Sequence, residues 1–373
     1  MIGLRRRLLL CAALCPLAPR AGAADVSYPP VLHKALAFPQ DHGAHPDYRI
    51  EWWYLTGVLD PPKGGQLPLV GIQLTFFRMR TPIAPENPSR FAAHQIILAH
   101  AAIGDPSVGS LLHEERIARA GFGVAQASTG DTGLAVDRWS LDRDARTGAY
   151  SGHVPAGQFT LEIRATPTQA ALLQGEDGYS RKEGEVENGK RAQAASMYYS
   201  QPQLALQVRM VRDGAVQTRT GRGWLDHEWS STLLPAHASG WDWGGFNLDD
   251  GSSLTVFRVR DGSDAEASSF AYACLRGPGR PAIEFAGTQV RFTPLGLWTS
   301  PRTRARYPVH QRIAVGPRTF EVEALMADQE FDARSSSGVV YWEGASTLRE
   351  HGQTVGRGYL ELTGYAGPML GMR

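Results

Sequence analysis

Two stretches far apart in the chain begin alike: "GRGWLDHEWSS" at 221–231 and "GRGYLELTGY" at 356–365. They match at Gly221/Gly356, Arg222/Arg357, Gly223/Gly358 and Leu225/Leu360. Upstream of each lies a tryptophan-rich run, "WWYLTGVLD" (52–60) and "GWDWGGFNLDDG" (240–251). Each run is followed by a segment ending in Phe-Arg, "GIQLTFFR" (71–78) and "SLTVFR" (253–258). Setting Trp53 on Trp241 also puts Gly57 on Gly245. A chain that carries the same paired signals twice, in the same order, is expected to fold as two related units. They meet near "LLPAHASG" (233–240), which separates an N-terminal domain over 28–232 from a C-terminal domain over 236–373.

The units are made of strands. "LVGIQLTFFRM" (69–79), "FTLEIRAT" (159–166), "LALQVRMV" (204–211), "SLTVFRVR" (253–260) and "RTFEVEAL" (318–325) alternate apolar and polar residues with period two. "RDG" (212–214) and "DDG" (249–251) fall between such runs and predict hairpin turns. With 41 glycines and 24 prolines, long helices are hard to place. The expectation is an all-β chain of antiparallel barrels or sandwiches. The polar stretch 180–195, "SRKEGEVENGKRAQAA", reads as a mobile loop.

The first residues belong to no domain. An arginine-rich start, an apolar run from Leu8 to Leu17 and small residues at Ala21 and Ala23 have the layout of a secretory signal peptide over 1–23. The expected location is the periplasm or beyond. Cleavage removes Arg5, Arg6, Arg7 and Arg20, so the net charge of +1 turns slightly negative. That leaves no basic stripe for nucleic acid and no polybasic patch for a membrane surface. Cys11 and Cys15 leave as well, and Cys274 alone cannot close an internal disulfide. No later stretch is apolar enough to span a membrane.

Seven segments together resemble a known family: "HPDYRIEWWYLTGVL", "FAAHQIILAHAAIGD", "MYYSQPQLALQ", "GRGWLDHEWSSTLLP", "GWDWGGFNLDDGSSL", "YWEGASTL" and "GRGYLELTGY". They are similar to the AttH-like proteins, often labelled predicted secreted hydrolases and related to the carotenoid 1,2-hydratases (the CrtC family). The resemblance runs from about residue 28 to 373. It implies two lipocalin-like antiparallel β-barrels in tandem. It also implies binding of a large hydrophobic molecule, such as a lipid or polyene, beside an ABC transporter that handles lipids or lipoproteins. The alternative it implies is an acid-catalysed hydratase that adds water to an isolated C=C bond.

Candidate site residues follow. On a strand, Trp224, Asp226 and Glu228 share one face while Leu225, His227 and Trp229 share the other. If the leucine face points into a barrel, the acids look outward or toward the second domain. The resemblance matches Asp226, His227 and Trp229 to an Asp-His-x-Trp segment of the hydratases, which makes Asp226, His227 and Glu228 the candidate catalytic set. The plainer reading is that these acids partner arginines and backbone at the domain junction. The hydratase reading asks for a further carboxylate on the next strand, where Phe257, Arg258 and Val259 stand instead. Trp53, Tyr199, Trp229, Trp241 and Trp243 are candidate walls for an apolar ligand, with Trp53 and Trp241 as barrel plugs in the plainer reading. Glu51 and Asp242 are expected to bind Arg222 and Arg357 in a repeated lock. His42, His45, His94 and His100 raise the question of a metal, but His94 and His100 lie about 20 Å apart on a strand. With no HExxH pattern, no G-x-S-x-G elbow, no P-loop and no dinucleotide fingerprint, neither a metal nor another cofactor is expected.

Overall fold

The structure is a computed structural model that describes residues 26–62, 64, 67–184, 194–261 and 268–367. The signal-peptide reading of 1–23 lies outside the described residues, as does most of the loop read at 180–195. Among the described residues the helical segments are two 3-10 turns, Gln40–His42 and Gly287–Gln289. None is long and apolar enough to cross a membrane.

The first sheet opens with β1 (Ile50–Leu59), β2 (Val70–Arg80), β3 (Gln95–Gly104) and β4 (Leu112–Arg119). It continues with β5 (Ala125–Ala127), β6 (Gly133–Val136), β7 (Trp139–Arg143), β8 (Tyr150–Pro155) and β9 (Thr160–Thr166). Two short strands, β10 (Leu172–Leu173) and β11 (Tyr179–Arg181), precede the long β12 (Ala195–Arg212) and β13 (Ala215–Thr232). The order is β4-β3-β2-β1-β13-β12-β9-β8-β7-β6-β5, with β10 and β11 paired to β12 off this path. Contacts of β3 and β4 with β5 and β6 bring the ends together into a nearly closed barrel. Asp213 and Gly214, at φ of 50° and 77°, make the two-residue turn between β12 and β13, as the "RDG" signal requires.

The second sheet holds β14 (Ala238–Leu248), β15 (Ser253–Asp261), β16 (Ser268–Arg276), β17 (Ala282–Ala286) and β18 (Val290–Thr299). It ends with β19 (Arg306–Val315), β20 (Arg318–Ala324), β21 (Glu330–Ala333), β22 (Val339–Glu350) and β23 (Gln353–Leu362). Its order is β17-β16-β15-β14-β23-β22-β20-β19-β18, with β21 on β22, and β16 reaches β18. The chain is therefore two tandem lipocalin-like barrels.

Burial explains why some strands alternate strictly and others do not. β8 and β9 have one face in the barrel and one in water, and their residues alternate buried and exposed. β1, β14 and the second half of β13 are buried on both faces. One face fills a barrel: Leu55, Leu74, Phe76, Trp139 and Leu225 in the first, Phe246, Val256, Phe320, Trp342 and Leu360 in the second. The other face packs barrel on barrel. Gly71 shows how tight this is, since a Cβ there would meet Ala345 and Tyr359 at 2.6 Å.

The two units superpose in register, but not as Trp53 on Trp241. Val58 stands opposite Arg222, and Asn247 stands opposite Arg357. Counting back along each strand, Trp241 corresponds to Trp52. A slip of one residue exchanges the two faces of a strand, and a Trp-x-x-x-Gly pattern does not fix the phase. The arginine lock also differs from expectation. Arg222 of the first barrel pairs with Asp249 of the second at 3.1 Å, and Arg357 of the second pairs with Asp60 of the first at 2.8 Å. Each arginine holds the carboxylate just past the end of the other barrel's first strand, because Arg222 and Arg357 lie at the opposite end of their strands from Glu51 and Asp242.

Candidate functional site

β13 delivers its side chains to two different places. His227 points with Leu225 into the first barrel and is fully buried at its closed end. Its Nε2 lies 2.9 Å from Glu51 Oε1, and its ring stacks on Trp53 with centroids 4.4 Å apart. His45 is stacked on Trp229 at 3.7 Å and donates from Nδ1 to Glu51 (2.7 Å) and from Nε2 to Asp41 (3.0 Å). Because both ring nitrogens donate to carboxylates, His45 is the imidazolium. Burial alone would lower its pKa, but the two acids outweigh it and raise it. Burial would likewise raise Glu51; Arg78 at 2.7 Å and the two imidazoles hold it well below the usual carboxylate range. His42, buried and set 2.7 Å from Tyr199 Oη, is pushed down to about 3 by burial first and by nearby positive charge second.

His45, Glu51 and His227 could offer three ligand atoms within 4.8 Å of one another. A metal ion there would have to displace the N–H protons that already satisfy Glu51 and would lie beside the Arg78 guanidinium. The set closes as an ion network instead: Glu51 and Asp41 against Arg78 and His45, with no charge left over. In the second barrel, Asp242 is paired with Arg258 (2.8 Å) and Arg260 (3.1 Å), and Tyr365 donates to it. Glu51 thus pairs with Arg78 and Asp242 with Arg258, each directly across its ladder, and neither meets Arg222 or Arg357.

Trp224, Asp226 and Glu228 face the other way, toward the second barrel: Trp224 is packed there with Tyr54 and Trp243, and Asp226 and Glu228 line a cavity between the barrels. It holds about 870 Å³ not filled by atoms, mouth included. Two equivalent rows of residues, most of them lining it, stand on its two sides. On the first barrel, Thr75, Tyr54, Asp226 and Ser200 stand side by side on β2, β1, β13 and β12. On the second, Phe257, Trp243, Glu361 and Glu343 stand side by side on β15, β14, β23 and β22. Trp52 and Trp241 flank these rows, and Tyr198 and Tyr341 line the cavity from β12 and β22.

Asp226 accepts from Ser200 Oγ (2.5 Å), Trp224 Nε1 (2.7 Å) and Tyr198 Oη (2.9 Å), while Trp243 Nε1 donates to Tyr198 at 3.0 Å. Burial nevertheless raises its pKa to about 7, helped by the nearby charge of Glu228. Glu228 is held by Lys182 at 2.7 Å and by Ser196. Lys182 Nζ lies 4.4 Å from the Phe257 ring centroid, so the start of the polar stretch read as a mobile loop is part of the wall. Glu361 is raised to about 8, by burial and then by Asp226 and Glu228. Glu343, directly across the ladder from Glu361, is raised well above the usual range by burial and by that neighbour. At the far end, Ser336 Oγ donates to Glu115 and so accepts from His100 Nε2 (2.8 Å). That leaves His100 Nδ1 to accept the Tyr341 hydroxyl at 2.8 Å. The neutral ring this requires agrees with a His100 pKa lowered by burial to about 3.

The candidates named from sequence therefore separate. Asp226, Glu228, Trp241 and Trp243 reach the cavity; His227, Trp53, Tyr199 and Trp229 belong to the closed end of the first barrel. Glu343, Glu361, Lys182, Tyr198 and Tyr341 were missed, and His100 was weighed only as a metal ligand. For Glu361 the signal was in plain view: in the paired Gly-Arg-Gly stretches it stands where Asp226 stands. β15 brings no carboxylate to the cavity; Glu343 and Glu361 reach it from β22 and β23.

The AttH-like family matches residues 29–365. Among solved structures, a Nitrosomonas europaea protein described as an AttH superposes with a TM-score of 0.82 at 47% identity, over 90% of this chain and 99% of that one. Kievitone hydratase from Nectria haematococca superposes with a TM-score of 0.63 at 13% identity, over 89% of this chain and 94% of that one, which is a likeness of fold. No curated protein matches the chain by sequence.

Proposed function

The chain belongs to the AttH-like family, and on that premise we propose that it binds a hydrophobic molecule between its barrels and adds water to an isolated C=C bond of that molecule by acid catalysis. The observation that carries this reading is Asp226, a carboxyl in an aromatic cavity whose pKa burial lifts to about 7. Such a group keeps a proton near neutrality and can still give it up. Asp226 transfers its proton to an alkene carbon, forming a C–H bond and leaving a carbocation and a carboxylate. The faces of Trp52, Trp241 and Trp243 stabilise the cation. Water then forms the C–O bond and returns a proton to Asp226, so the product is substrate plus one water. His227, on the opposite face of the same strand, holds β13 in place through Glu51. Export to the periplasm, and work beside a lipid-handling ABC transporter, belong to the same proposal.

A carrier without turnover is the second reading. What favours it is that both oxygens of Asp226 are already engaged by Ser200, Trp224 and Tyr198. The purified protein, incubated with terpenoid and prenylated-aromatic alkenes in heavy-oxygen water, separates the two by mass spectrometry. A product carrying one heavy oxygen, absent with Asp226→Asn, supports the hydratase. Saturable binding with no product leaves the carrier, and neither binding nor product removes both.

A further inference from the structure

The cavity also limits the polar chemistry of its ligand. Four carboxyl side chains line it, Asp226, Glu228, Glu343 and Glu361, while Lys182 is the one lysine or arginine among the described lining residues. That lysine is already taken up by Glu228 at 2.7 Å. A ligand carboxylate or phosphate would enter with no free cation to meet it and with acids on both walls. On the second-barrel side, Glu343 interacts with Tyr54 of the first barrel, and beyond that one loose contact Glu343 Oε1 and Tyr54 Oη have no hydrogen-bond partner. The two residues are only 2% and 6% exposed, so bulk water does not complete them. Buried polar atoms whose hydrogen-bonding capacity is only partly used are costly, and a ligand that supplies a further, well-aligned hydrogen bond recovers that cost. Burial and the neighbouring Glu361 push the Glu343 carboxyl well above the usual carboxylate range, toward its neutral form. A neutral carboxyl beside a phenol offers both a donor and an acceptor, the complement of an alcohol rather than of an anion.

We infer that the ligand carries an uncharged hydroxyl group seated between Glu343 and Tyr54, and that amphiphiles ending in a carboxylate are rejected. This rests on the reading that the cavity holds a hydrophobic molecule, and it names the class.

The test uses the fluorescence of the full chain, in which Trp52, Trp241 and Trp243 line the cavity. Dodecanol, dodecyl methyl ether and dodecanoate are titrated at pH 7 into the wild type, Glu343→Leu and Tyr54→Phe, with thermal unfolding run on each variant. Dodecanol is expected to bind at least about tenfold more tightly than the ether or the dodecanoate, the size of one well-made hydrogen bond. Each variant that keeps its cooperative unfolding is expected to bring dodecanol down toward the ether. Dodecanoate binding as tightly as dodecanol overturns the inference. So does unchanged dodecanol affinity in Tyr54→Phe, the milder variant, while the ether still binds; the cavity reading then survives. If none of the three probes binds the wild type, the cavity reading falls together with the inference.

Discussion

Facing each other across the cavity, the row Tyr54–Asp226–Ser200 and the row Trp243–Glu361–Glu343 occupy the same register of two equivalent sheets. In the first, a serine beside the acid donates to it, and three hydrogen bonds hold the carboxyl to a pKa of about 7 despite burial. In the second, a glutamate takes the serine's place, so two acids stand opposite one another; Glu343 is driven up by burial and by Glu361, and Glu361 by burial and by Asp226 and Glu228. The backbone frame is common to both. What differs is one neighbour, and that is enough to turn a satisfied acid into one of a pair that cannot both ionise. Equivalent position in a duplicated fold does not carry equivalent chemistry.

The comparison can be broken most forcefully by turnover. With the alkene identified by the heavy-oxygen screen, Asp226→Asn is expected to lose about 10²–10⁴ in rate, the range for a general acid. Glu361→Gln should lose much less; equal losses would mean that the halves share the work. The closed barrel ends come next. Glu51→Ala and Asp242→Ala each strand buried arginines and should cost about 3–5 kcal/mol in denaturant unfolding. A large loss in only one would show that the two buried networks are not equivalent supports.

The pH dependence sharpens the contrast further. Asp226 and Glu361 have folded pKa values, about 7 and about 8, above their ordinary ones. In that window the native state holds protons that the unfolded chain has released. The stability they contribute is complete at acid pH and is lost as pH climbs through 7 to 8. Asp226→Asn should flatten that decline. Glu343→Ser, which copies Ser200, should bring the Glu361 titration down toward that of Asp226, as read by carboxyl NMR, and gain on the order of 1 kcal/mol at pH 8. Smallest of all, Arg222→Ala and Arg357→Ala break half-exposed pairs worth about 1 kcal/mol or less. Their cost in unfolding should fade at high salt and be similar in both.

Much of the fold was legible because strands and duplication leave local marks. Alternation marked the strands, "RDG" marked a turn with two positive φ angles, and the Gly-Arg-Gly pair marked matching strands. The phase of the duplication was not legible. Trp52 and Trp53 are adjacent and alike, and only cross-strand pairing shows which of them faces the other barrel. The facing of Asp226 away from His227 followed from alternation alone. Glu343 and Lys182 were out of reach for another reason: β22 and the end of β11 reach the cavity only through packing, and "YWEGASTL" carries nothing that marks its glutamate as buried beside a second acid. The arginine lock was sought within each unit, whereas the exchange between units depends on how the barrels dock.

The five residues joining β13 to β14 are not a tether. Leu233 and Leu234 are buried there, packed with Val259 and against Trp52 and Trp241, and both form part of the cavity lining. The joint is therefore also the ceiling of the chamber. Swinging the barrels apart about it would pull both leucines into water, at about 1.5–3 kcal/mol each. A longer, more polar connection would leave two intact barrels and an unroofed trough.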